Sequence, residues 1–209
     1  MYDNAMIHFE NPDMFYDFYD GLNIYGTWRI YSGKLNDRGF KIYDKSYTKK
    51  LRSVFNEKKL FRRNVSIAEI VSWLDNYIII IRLFNYIESK VNKHTFSNIK
   101  ILLEYKINFS KNRRVDMVLR YNDKILLVEF MLSSRFPNIT NVWQRKEMEL
   151  IIYKELLSNY IKNKDIIIYA FIAMPEYNKS EKIEKNIKYN TQNINYFGDY
   201  IIEYLLNER

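Results

Sequence analysis

The sequence has no cysteine and only two histidines, His8 and His94, which lie far apart along the chain. The first absence excludes disulfides, thiolate catalysis and Cys-ligated zinc or iron–sulfur centres. The second argues against a histidine-rich metal site. No glycine-rich phosphate loop, internal repeat or low-complexity linker is present. The most apolar run, YIIIIRLF at 77–84, is too short to cross a bilayer, and Asp75 and Arg82 flank or interrupt it. The first residues, MYDNAMIHFENPDMF, carry acids where a secretory signal needs a basic start. The expectation is a soluble, cytoplasmic protein without a membrane partner.

What is present is apolar and basic. Of 209 residues, 47% are hydrophobic, enough for a real core, and 17% are aromatic. The length suits one domain, or one domain with an appendage. The formal net charge of +8 points to a polyanionic partner, because Lys and Arg displace condensed counterions from phosphates. Nucleic acid leads that reading and an anionic membrane surface comes second. A merely solubilising surface is the plain alternative.

Along the chain, TWRIY (27–31) and FKIY (40–43) alternate apolar and polar residues around a turn-forming stretch and predict a hairpin. A short helix is expected over 46–61. Its Lys49, Lys50, Arg52, Lys58 and Lys59, followed by Arg62 and Arg63, interleave with Tyr43, Tyr47 and Phe61. That mixture suits a nucleic-acid backbone, with a solvated Lys-rich face as the alternative. Residues 1–64 are thus read as a basic, aromatic extension and 65–209 as the core. Ser66 and Glu69 have the spacing of a capping box opening a long helix that ends near Lys90 to Lys93. Its wide apolar stripe predicts burial on more than one side.

Three strands follow: 99–109, 113–121 and 124–132, with Asn122–Asp123 as a tight turn. A helix is expected over 142–163, with Met148, Ile151, Ile152, Leu156 and Tyr160 as its apolar stripe. The near-continuous apolar run at 165–175 suits a buried parallel strand, and 198–209 a closing helix. The fold class is therefore α/β, with a mixed sheet flanked by helices.

Asp116 and Glu129 stand in the apolar halves of the second and third strands. Symmetric pairing about the Asn122–Asp123 turn sets them opposite each other. Two such carboxylates repel unless a cation lies between them, and hard oxygen ligands suit Mg²⁺ or Mn²⁺. Outward-facing acids remain the competing reading on alternation alone.

The run RRVDMVL (113–119), then VEFM (128–131), set between a strand and a crossover helix, resembles the PD-(D/E)XK nuclease superfamily. The resemblance covers about Ser66 to Met174 and implies an α-β-β-β-α-β core of restriction-endonuclease type. It implies that Asp116, Glu129 and the carbonyl of Phe130 hold Mg²⁺ or Mn²⁺, and that Glu88 on the preceding helix adds a ligand through water. Glu104 is a weaker candidate and reads first as a solvent-facing acid. The Asn-Arg-Arg-Val before Asp116 is similar to the phage- and helicase-associated branch. That branch often has Gln-x-x-x-Tyr on the next helix, where this chain has Glu149 and Tyr153.

Met131 stands where the superfamily has its lysine, and a thioether cannot stabilise charge on a phosphate. Three explanations compete: a migrated lysine, a binding protein that no longer cuts, or an engineered substitution. Lys146 is the candidate replacement, sharing a helix face with Glu149 and Tyr153, and Gln144 is a further polar candidate. The implied activity is Mg²⁺-dependent phosphodiester hydrolysis by a nuclease, with DNA favoured, in phage defence, a mobile element or repair. Arg113, Arg114 and the basic segment would position the backbone. The alternative is a catalytically degenerate adaptor or inhibitor that binds nucleic acid or a protein. Related nucleases often act as homodimers.

Overall fold

A computed structural model describes residues 5–22, 49–53, 65–107, 113–132, 139–162, 164–173 and 194–207. The hairpin expected over 27–43 lies outside them. So do Lys58, Lys59, Arg62 and Arg63. Of the helix expected over 46–61, residues 49–53 are described and are helical.

The protein is an α/β structure built on one five-stranded mixed sheet in the order β1-β2-β3-β4-β5. The strands are β1 (Ile7–Phe9), β2 (Lys100–Lys106), β3 (Arg114–Tyr121), β4 (Lys124–Leu132) and β5 (Asp165–Ala173). All pairs are antiparallel except β4 with β5. The helices are α1 (Pro12–Gly21), α2 (Ile67–Glu88), α3 (Lys93–Ser97), α4 (Ile139–Ser158) and α5 (Ile194–Tyr200), the last continued by a π-helical turn, Ile201–Leu206. Between α2 and β5 the order is helix, three antiparallel strands, helix, parallel strand. The short α3 is added before β2.

Local chemistry explains several of these boundaries. Ser66 Oγ accepts from the Glu69 amide at 3.2 Å and Glu69 Oε2 accepts from the Ser66 amide at 2.9 Å, so both halves of the capping box form. Asn122, in the two-residue turn between β3 and β4, has φ 50°, a conformation Asn tolerates well. Two helices and a strand come in addition to those expected. Asn11 caps α1 through the Met14 amide, with Pro12 opening the helix. Asn92 caps α3 through the Thr95 amide. β1 extends the sheet beside β2, so this part of the 1–64 segment is built into the core.

The sheet has two apolar layers. On one face Ile101, Leu103, Met117, Leu119, Leu126, Val128 and Phe130 pack with Ile70, Leu74, Tyr77, Leu83 and Phe84 of α2. Aromatic rings lock this layer: Phe15 of α1 meets Phe84 edge-on at 5.8 Å, and Phe197 of α5 stacks on Tyr169 at 4.3 Å. On the other face Leu102, Val118, Ile125 and Leu127 pack with Leu150, Tyr153 and Leu157 of α4. The stripe expected for α4 is therefore corrected. Met148 and Tyr160 are exposed by 59% and 57%, and the inward face carries Lys146 and Glu149 as well as apolar side chains. Ile152 of that stripe is exposed as well, and the buried positions are Leu150, Tyr153 and Leu157. Among the described residues no helix is long and apolar enough to cross a membrane.

Candidate active site

The β3–β4 ladder runs from Tyr121–Lys124 to Met117–Val128. The next row would pair Asp116 with Glu129. There the Asp116 side chain intervenes, its Oδ2 accepting from the Phe130 amide at 2.8 Å. The β2–β3 ladder likewise passes from Leu103–Met117 to Tyr105–Val115, which sets Glu104 across from Asp116. Glu104, Asp116 and Glu129 thus form a row of acids across three adjacent strands.

Their surroundings are mostly closed. Glu104 is buried and its backbone is left-handed at φ 51°. A non-glycine residue there stores about 1–3 kcal/mol, a cost that tends to sit at functional sites. The expectation of a solvent-facing Glu104 is corrected. Its carboxylate pairs with Arg114 Nη1 at 3.1 Å and hydrogen-bonds the Trp73 side chain. The other nitrogen of the Arg114 fork, Nη2, lies 3.2 Å from Glu69 Oε1. Glu69 therefore caps α2 with one oxygen and ties it to β3 with the other. Arg114 is thereby engaged with protein carboxylates, not presented to a phosphate backbone.

Glu129 is 3% exposed. Its Oε2 lies 2.5 Å from Lys146 Nζ, which also reaches Glu149 Oε2 at 3.1 Å. Its Oε1 is buried with no hydrogen-bond partner among the described residues. Burial and the nearby Asp116 push the Glu129 carboxyl up to about 8 despite Lys146. Burial and Asp116 do the same to Glu104, to about 8, against the pull of Arg114. Burial also raises Asp116, with Lys146 and the Phe130 amide opposing. Burial alone would lower Lys146, but Glu129 outweighs it and holds the ammonium above its ordinary range. Tyr153 is pushed up to about 12 by burial, then by Glu129 and Glu149.

The structure brings Asp116, Glu129, Lys146, Glu149 and Tyr153 to one locality and adds Glu104, Glu69 and Arg114. Met131 is partly buried, next but one after Glu129 on β4. Gln144 is exposed near the start of α4. Glu88 is not brought in. It sits at the far end of α2, near Tyr16 and about 28 Å along the helix axis from Glu69 at 1.5 Å per residue. Lys49, Lys50 and Arg113 are exposed, whereas Arg52 donates to the Val65 carbonyl at 2.8 Å.

The donor set suits a small divalent cation. It consists of hard oxygens, one of them buried and unsatisfied, and the carboxylates Glu69, Glu104, Asp116, Glu129 and Glu149 outnumber the cations Arg114 and Lys146. Among the described residues no three His, Cys, Asp or Glu side chains form a metal-holding group. Mg²⁺ does not need one, since it is commonly bound through one or two carboxylates and keeps several waters. No protein-family model matches the chain, and no curated protein matches it in sequence.

Proposed function

We propose that this protein is a Mg²⁺-dependent nuclease of the PD-(D/E)XK type, hydrolysing phosphodiester bonds in nucleic acid, with DNA as the favoured substrate. The supporting observation is the site at the end of the β3–β4 ladder, where Asp116 and Glu129 face Lys146 across the sheet–helix boundary. Asp116, Glu129 and the Phe130 carbonyl are assigned to Mg²⁺ or Mn²⁺. The ion, when bound, supplies Lewis-acid activation of the phosphate and a more acidic water. Lys146 supplies from α4 the cation that Met131 does not supply from β4, and Glu149 holds it. Arg113, Lys49 and Lys50, which are exposed, would meet the phosphate backbone.

Incubation of linear and circular DNA, and of RNA, with the protein in Mg²⁺ or Mn²⁺ tests this. Metal-dependent cleavage that disappears in Asp116→Asn and Lys146→Ala is expected. Absence of cleavage in both metals, in the natural sequence and in Met131→Lys, overturns it. Met131 itself favours a second reading, a protein on the same core that binds nucleic acid or a protein partner without cutting. Tight, metal-independent binding that survives Asp116→Asn is its signature.

A further inference from the structure

The feature that most needs a reason is the double attachment of Lys146. A half-buried ammonium needs at most one carboxylate to offset its loss of water. Lys146 has two, Glu129 Oε2 at 2.5 Å and Glu149 Oε2 at 3.1 Å. The two partners differ. Glu129 is buried on β4 and belongs to the acid row, whereas Glu149 is partly exposed, on α4, one turn from Lys146. The remaining oxygen of Glu129 has no partner among the described residues. The acid row thus has a cation of its own at one end, and that cation has a second place to rest.

We propose that Lys146 is an internal counter-cation for the Asp116–Glu129 site, which yields Glu129 to an incoming divalent ion and is retained by Glu149. This rests on the metal-site reading above and concerns how the site is regulated. An ion at Glu129 and an ammonium on the same carboxylate repel at a few ångströms' separation. With Glu149 present, Lys146 moves a short way and stays charged and paired. Without Glu149 it must either stay and oppose the ion or leave with no partner, and an unpaired charge that is largely withdrawn from water is costly. The pairing also keeps Glu129 from being a bare buried carboxylate beside Asp116 while no ion is bound.

Calorimetric titration of the full chain with Mn²⁺ tests the idea in a double-mutant cycle. Lys146→Met is expected to tighten Mn²⁺ binding about tenfold, and Glu149→Gln to weaken it about tenfold. In the Lys146→Met background, Glu149→Gln should change affinity less than about twofold, because Glu149 then has no ammonium to receive. Lys146→Gln is a second neutral variant, expected to tighten binding too, and it serves if Lys146→Met fails to fold. If Mn²⁺ binding depends on Asp116 but neither Lys146 variant tightens it, the counter-cation role is overturned and the metal site stands. Equal weakening by Glu149→Gln in both backgrounds has the same meaning. If no Mn²⁺ binds, or binding ignores Asp116→Asn, the metal-site reading falls and this inference with it.

Discussion

The two faces of the sheet solve different problems. The α2 face is apolar and aromatic almost throughout, with Phe15, Phe84, Phe171 and Phe197 fully buried and Ser66 fastening the helix start. The α4 face begins the same way at Leu150, Tyr153 and Leu157, but toward the start of α4 it gives way to Lys146, Glu149 and the Asp116–Glu129 pair. The first layer draws its stability mainly from apolar burial, with one charged cluster, Glu69, Arg114 and Glu104, at the start of α2. The other holds Asp116, Glu129 and Glu149 close together around one ammonium, an arrangement that costs stability.

Substitutions on either face should separate these roles. The largest expected effect is on activity. Asp116→Asn should lower Mg²⁺-dependent cleavage by about 10³-fold or more while leaving the melting temperature unchanged or higher, since it removes a partly buried charge that Glu129 repels and keeps an acceptor for the Phe130 amide. A fall in melting temperature would show that the acid row is structural. Phe84→Ala, in the other layer, should cost about 3–5 kcal/mol in denaturant titrations while the surviving folded fraction keeps its Mn²⁺ affinity. Gly198→Ala should cost about 1–3 kcal/mol. An added Cβ would lie 2.3 Å from Tyr86 Cδ1, and Tyr86 is held in place by its hydroxyl bond to Asp199 at 2.6 Å. Ser66→Ala is the smallest perturbation, about 1 kcal/mol from the lost cap, read as a shift in the denaturant midpoint.

Much of the architecture was legible because local and global signals agree. The Ser66–Glu69 box, the Asn122–Asp123 turn and the third strand at 124–132 follow from short-range chemistry that the tertiary structure reinforces. The same turn places Asp116 and Glu129 in one row by symmetry. Two kinds of information were not legible. The rotation of α4 about its axis depends on what it packs against, so Met148 and Tyr160 read as core and lie outside. The second role of Glu69 needs the positions of Arg114 and Glu104, which no helix signal encodes. Asn11–Pro12, by contrast, is a local start signal for α1, an Asn cap followed by a proline whose missing N–H the first turn does not need.

The bond from Asp116 to the Phe130 amide has a further effect on shape. A side chain that satisfies a peptide N–H lets two neighbouring strands part without leaving that N–H bare. The carboxylate takes over the Phe130 N–H just past the last paired row, Met117–Val128. The ladder therefore stops at the row where Glu104, Asp116 and Glu129 line up across three strands.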